Sequence, residues 1–120
     1  CNGQTQAPDG TYYTSDTCDQ QDWSVPGEHA QSSLRHVPGA LAAAHAGLNT
    51  DGSQFYIVPS DSNPNWLDYE PGKDCSAQSC HTVYGMVIAG MNHVDAISGV
   101  STGSNDKPVE DVRLIQANRT

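Results

Sequence analysis

The run Gln54-Phe55-Tyr56-Ile57-Val58 is aromatic and β-branched and is closed by Pro59. Such a run is a buried β-strand, and a strand buried between others needs a neighbour on each side. The remaining chain must therefore supply a sheet. His81-Thr82-Val83-Tyr84-Gly85-Met86-Val87-Ile88 reads as another strand. Residues 109–117 read as a last one, with Val112 and Leu114 on one face and Asp111 and Arg113 on the other. Met91, Val94 and Ile97 recur every three residues, which predicts a short amphipathic helix over Met91–Ser98, stopped by Gly99. Three or four strands and one small helix cannot close a barrel. They leave edges that invite pairing with another chain.

A chain of 120 residues is one domain. Only 36% of it is hydrophobic, and 11 Gly and 7 Pro assign a large share to loops, so the core is thin. Residues 1–30 are polar and loop-rich, anchored only by Tyr12, Tyr13 and Trp23, and read as irregular structure with at most one short strand. No repeat is apparent. No run approaches the length of a membrane span, so the polypeptide is expected to be soluble. No leader segment is visible, which fits a processed chain. With 14 acidic against 5 basic side chains the formal charge is −9. A phosphate backbone would be repelled, which argues against nucleic acid as a partner.

Four cysteines in a small polar chain point to an oxidising, extracytoplasmic setting: periplasmic, cell-surface or secreted. The separation of Cys75 and Cys80 suits a small disulfide-closed loop, and Cys1 and Cys18 are the remaining pair. Four cysteines allow three pairings, so the connectivity stays open. Cys1 at the start is also what a mature bacterial lipoprotein shows, and a lipid anchor there would deprive Cys18 of its partner. Cys75 and Cys80 followed by His81 approach a haem-attachment pattern, but the spacer is too long and no second axial ligand stands out. No second paired cluster supports zinc. Asp61, Asn63 and Asn65 alternate like the start of a calcium loop, yet Trp66 stands where Gly is needed and Gly72 where a bidentate Glu belongs. That stretch reads as an Asx-rich turn. Asn118-Arg119-Thr120 is a glycosylation sequon at the end of the sequence, a pattern common by chance. The expectation is no cofactor and no metal.

Two segments carry a resemblance. The first is Leu34-Arg35-His36-Val37-Pro38-Gly39-Ala40-Leu41-Ala42-Ala43-Ala44-His45-Ala46-Gly47, leading into Asn49-Thr50-Asp51-Gly52-Ser53-Gln54-Phe55-Tyr56-Ile57. The second is Trp66-Leu67-Asp68, then His81-Thr82-Val83-Tyr84-Gly85-Met86-Val87-Ile88-Ala89-Gly90-Met91. Together they resemble the C-terminal half of the cyclophilins, the proline-isomerase β-barrel family. In that family a small-residue strand leads to an Ala-Asn-Ala-Gly turn and a Gly-Ser-Gln-Phe-Phe-Ile strand, followed by Trp-Leu-Asp and His-Val-Val-Phe-Gly. The tail Asn105-Asp106-Lys107-Pro108-Val109-Glu110-Asp111-Val112 is similar to the last strand of bacterial members. The match runs in order over residues 31–117. It implies a mainly β chain, a single partial domain over 1–120 holding a cyclophilin-like barrel portion with one short helix, the barrel incomplete. Propensity alone makes the Ala-rich stretch after Pro38 a helix, because Ala and Leu are the best helix formers; the resemblance makes it a strand.

What the resemblance implies in chemistry is peptidyl-prolyl cis-trans isomerisation of proline-containing polypeptides. Tyr56, Leu67 and His81 would line the proline pocket, Gln54 would bond the substrate backbone, and Ala44, His45 and Ala46 would form the edge along which the peptide lies. Trp66 would border the cleft. Tyr56 replaces the family's usual Phe, which makes the pocket more polar, and His45 replaces the usual Asn at a contact made mainly through backbone groups. Residues 69–80 are longer than the family's tight connection and sit where they would cap or reshape access. The family's catalytic arginine lies in a Phe-His-Arg segment, followed by a Gln-Gly-Gly-Asp turn, and neither occurs here. Arg35 falls in the loop before the Ala-rich strand, and Arg113 and Arg119 belong to the last strand and tail, so none substitutes for it. No residue of the chain is assigned as catalytic. Two readings follow: one piece of an isomerase whose N-terminal half lies on another chain, was cleaved or was left out, or a degenerate cyclophilin-like module for binding or assembly whose exposed edges pair with a partner or a neighbouring copy.

Overall fold

A computed structural model describes residues 26–52, 54–76 and 78–120. Cys1 and Cys18, with the second bridge and the lipid anchor expected of them, lie outside the described residues, as do Tyr12, Tyr13 and Trp23. The described chain forms three strands, β1 (Ala40–Ala43), β2 (Phe55–Ile57) and β3 (Val83–Met86), and one helix, α1 (Met91–Ser98). The strands make one antiparallel sheet in the order β2-β1-β3.

The alanine-rich segment is thus the central strand. Leu41 pairs with Ile57 and Ala42 with Tyr56 on one side; Ala40 pairs with Met86 and Leu41 with Gly85 on the other, with a bulge between Leu41 and Ala42. Its helical propensity is overridden by ladder bonds on both flanks, which a helix of eight residues could not match. Gly39 helps to end any helical option. It sits at φ +86, where residues with a Cβ are strained, and its N–H reaches the Val58 carbonyl at 2.8 Å. A Cβ at Gly39 would meet the Met91 sulfur at 3.5 Å, so the bare backbone is also where α1 lands.

Ala40 and Ala42 are fully buried and form the core with Val58 and Val83, with half-buried Tyr56 packed against them. The core is small, as the composition implies. The expectation of a buried strand at residues 54–58 is corrected: among the described residues β2 is an edge strand, paired only with β1, and Phe55 is 54% exposed. The central place belongs to β1, which pairs with β2 on one side and β3 on the other.

Helix α1 spans the residues that its three-residue spacing marks, and Gly99 closes it with N–H contacts to the Asp95 and Ala96 carbonyls. Exposed Asp95 ties it to the turn after β2, accepting the Ser60 N–H at 2.9 Å and the Ser60 hydroxyl at 2.7 Å. Those two donors hold the carboxyl below its ordinary 3.8. A depressed acid adds stability that is present above the ordinary value and lost as pH falls through the lowered one. We expect the Ser60 amide resonance to titrate below the usual aspartate range, and Asp95→Asn to abolish that titration. A Ser60 amide that titrates at or above that range would count against the contact.

The last expected strand is not formed. Thr102 and Pro108 make an isolated antiparallel bridge, and residues 111–120 have no regular structure. A strand needs a ladder partner, and among the described residues the pairing goes no further than this bridge and the Val109 N–H on the Ser101 carbonyl at 2.9 Å. Its apolar side chains remain outside, Ile115 at 88% exposure. The Asp61, Asn63 and Asn65 stretch forms turns and a single 3-10 turn over Asn65–Leu67. No helix among the described residues is long and apolar enough to cross a membrane.

Candidate functional site

The site is built where the end of β1, the middle of β2 and the residues entering β3 meet. The Ala43 carbonyl, at the end of β1, accepts a hydrogen bond from Nδ1 of His81 at 2.9 Å, and the His81 N–H donates to the Leu67 carbonyl at 3.1 Å. A carbonyl can only accept, so Nδ1 carries the proton. These two bonds fix a buried imidazole between strand and loop. Tyr56, from β2, faces it edge-on with ring centroids 5.7 Å apart. His45 lies over it at 3.8 Å.

Behind this group stands a buried polar chain that local sequence patterns do not reveal. His36 is 1% exposed. Its Nδ1 donates to Asp68 at 2.7 Å, and its backbone N–H reaches the same carboxylate oxygen at 2.9 Å. Nε2 therefore accepts the Tyr56 hydroxyl, 2.8 Å away. His36 and Tyr56 stack with centroids 5.9 Å apart. Burial, with the Asp68 and Asp51 carboxylates nearby, pushes the Tyr56 phenol well above its ordinary value, so it stays protonated and can donate. The hydroxyl that Tyr56 carries beyond a phenylalanine is thus held by His36 inside the protein.

His45 is folded inward as well. Its Nε2 donates to the Ser79 carbonyl at 2.8 Å, and Nδ1 lies 2.5 Å from the Gly47 carbonyl and 2.9 Å from the Gly47 nitrogen. The turn after β1 is set by Thr50, whose hydroxyl accepts the Ala46 N–H and donates to the Gly47 carbonyl, both at 2.8 Å. Ala44 and Gln54 extend the β1–β2 ladder through the Ala44 N–H to the Gln54 carbonyl at 3.0 Å, and the Gln54 side chain is exposed. Tyr56, His81, His45 and the Leu67 backbone are therefore brought together, with Ala44 and Gln54 at the adjoining strand ends and Ala46 exposed on the turn. Trp66 stands apart, 61% exposed.

The loop over residues 69–80 is fastened to this group. Cys75 and Cys80 are joined by a disulfide. Lys73 donates to the carbonyls of Trp66 and Asp68, both at 2.6 Å, and Arg35 donates to the Tyr69 carbonyl at 2.6 Å. Ser79 bonds His45, and Cys80 leads directly into His81. The loop thus reaches the His45–His81 pair through its own backbone. His36, Asp68 and Ser79 escaped the sequence reading because each acts on a partner 32 or 34 residues away.

A protein-family model described as cyclophilin type peptidyl-prolyl cis-trans isomerase/CLD matches residues 2–119. The chain is 40% identical over 85 residues to peptidyl-prolyl cis-trans isomerase-like 1 of Gibberella zeae, covering 70% of this chain and 45% of that protein. It is 43% identical over 84 residues to peptidyl-prolyl cis-trans isomerase CYP71 of Arabidopsis thaliana, covering 69% of this chain and 11% of that protein. To the human peptidyl-prolyl cis-trans isomerase-like 1 it is 40% identical over 79 residues, covering 66% of this chain and 40% of that protein. The chain therefore spans less than half the length of these relatives.

Proposed function

The chain belongs to the cyclophilin type peptidyl-prolyl cis-trans isomerase family, and we propose that it supplies the proline-binding portion of such an isomerase. The observation that supports this reading is the meeting of Tyr56, His81 and the Leu67 backbone at one end of the sheet. An X-Pro bond turns over in tens to hundreds of seconds unaided. Catalysis needs no nucleophile. It needs the proline ring held in an apolar seat and the twisted amide stabilised better than either planar form. In this proposal Tyr56 and His81 are the seat, with Leu67 closing it. Gln54 bonds the peptide backbone, Ala44, His45 and Ala46 form the edge it follows, and Trp66 borders the cleft. The donor aimed at the amide nitrogen is an arginine on a segment not found among these 120 residues, and we assign it to a polypeptide that completes the barrel.

A second reading has its own support. Val109, Leu114 and Ile115 are largely exposed, and a strand-forming segment without a partner is a docking edge. In that reading the chain is a cyclophilin-like assembly module, and whatever pairs with residues 109–117 brings no arginine. In either reading we place the disulfide-bearing protein outside the cytoplasm.

The test is a nuclear magnetic resonance titration of the chain with a proline-containing peptide and with the same peptide carrying alanine in place of proline. Seating of the ring predicts shifts at Tyr56, Leu67 and His81 with the first peptide only. Equal shifts with both peptides, or none at those residues, would remove the pocket assignment.

A further inference from the structure

Away from the proline-pocket residues, His29 approaches the two cysteines of the loop. Nε2 of His29 lies 3.8 Å from the Cys75 sulfur, and the ligand atoms of His29, Cys75 and Cys80 all fall within 4.8 Å of one another. We propose that, with the cysteines reduced, these three residues form a binding site for a thiophilic divalent cation of the zinc class.

The donor set favours this class. Two thiolates and one imidazole are soft ligands, which select zinc over magnesium or calcium. A tetrahedral zinc ion with Zn–S near 2.3 Å and Zn–N near 2.0 Å sets its ligand atoms about 3.5–3.8 Å apart. His29 and Cys75 already stand at that spacing. The Cys75–Cys80 pair must open, and reduction allows this without moving either backbone far, since their Cα atoms are 5.2 Å apart; His29 and Cys80 lie within 4.8 Å of each other. The fourth position is left to water, as in an open rather than a closed structural site.

His29 is not a loose side chain that happens to lie near. Its turn is pinned to the start of β3: the Glu28 N–H donates to the Thr82 hydroxyl at 2.9 Å, and the Ser32 hydroxyl to the Val83 carbonyl at 3.0 Å. The ring is further braced by Tyr69, with centroids 5.1 Å apart. Cys75 is half-buried and open to a reductant, while Cys80 is buried at 3% exposure. The acidic balance of the chain favours the approach of a cation. None of this was visible in the cysteine spacing, because the third ligand lies 46 residues before Cys75.

The chemistry balances in two steps. A dithiol gives two electrons and two protons to the bridge, yielding two protein thiols and the oxidised dithiol. The cation then displaces both thiol protons to solvent as it binds. Disulfide and metal site are thus alternatives at one locus. Ser79 holds His45 and Cys80 precedes His81, so this locus adjoins the candidate proline seat.

The experiment uses the 120-residue chain, reduced with a phosphine and handled without oxygen. Cobalt(II) is titrated in while thiolate-to-metal charge-transfer absorption is followed, and zinc is then used to displace it. One equivalent should bind to the reduced chain and none to the oxidised one. Cys75→Ser should abolish the band, Cys1→Ser with Cys18→Ser should leave it, and His29→Ala should weaken binding at least about tenfold, the scale on which disturbing a metal site acts. In the unaltered chain, zinc should shift the His29 ring resonances, a readout that does not depend on any variant folding. Absence of the band in the reduced chain, its survival in Cys75→Ser, or unshifted His29 resonances would overturn the site.

Discussion

Asp68→Ala should destabilise the folded chain by about 3 kcal/mol, measured as a drop in the denaturant midpoint at unchanged slope. One carboxylate oxygen of Asp68 receives both the ring Nδ1–H and the backbone N–H of His36, and His36 is sealed from water. Alanine orphans both donors at once, and each buried, unpaired donor costs about 1–3 kcal/mol. Against the 5–15 kcal/mol or so that holds small domains together, such a loss is large. Asp68→Asn keeps an acceptor oxygen and forfeits only the charge assistance, so it should cost roughly half as much. Tyr56→Phe leaves His36 Nε2 without its donor and should fall near 1 kcal/mol. The order matters more than the values. An asparagine variant as damaged as the alanine one would mean that the charge, not the two accepted bonds, holds the loop to His36.

The same chain of residues explains what could and could not be read in advance. Helix α1 was legible because its signal is local: Met91, Val94 and Ile97 repeat at helical spacing, and Gly99 follows. The Cys75–Cys80 bridge was legible because only five positions separate its ends. Residues 54–58 carry the signal of a strand but not its place in the sheet, since β-propensity does not say whether one flank or both will be paired. β1 shows the reverse case, in which propensity favours a helix and ladder bonds on both sides decide otherwise. Residues 109–117 carry a strand pattern without a strand, because alternation states which face could be buried and not what will bury it. Of the site, Tyr56 and His81 were reached only through resemblance. His36 and Asp68, which hold Tyr56 in place, sit in the quoted motifs without drawing notice, because a buried hydrogen bond spanning 32 positions leaves no periodic trace.

Joining the chain to a polypeptide that carries the family's arginine segment should raise the cis-trans isomerisation rate of a proline peptide by on the order of a hundredfold over the chain alone, the scale on which one preorganised donor acts. The chain by itself should leave the peptide near its unaided rate. The reason lies in what the described residues can distinguish. Tyr56 and His81 would hold a proline ring that is nearly the same in the cis, trans and twisted forms, and binding all three equally well lowers no barrier. Only a donor that meets the amide nitrogen when the bond is twisted makes that difference, by opposing the resonance that keeps the peptide planar. The rate should be read by exchange spectroscopy on the peptide, with complex formation followed on residues 109–117, whose exposed Val109, Leu114 and Ile115 should become protected. Protection together with acceleration would mean a divided isomerase. Protection without acceleration, in a complex that still binds the peptide at Tyr56, would mean that the partner completes the sheet and not the catalyst, and the assembly reading would then replace the enzymatic one.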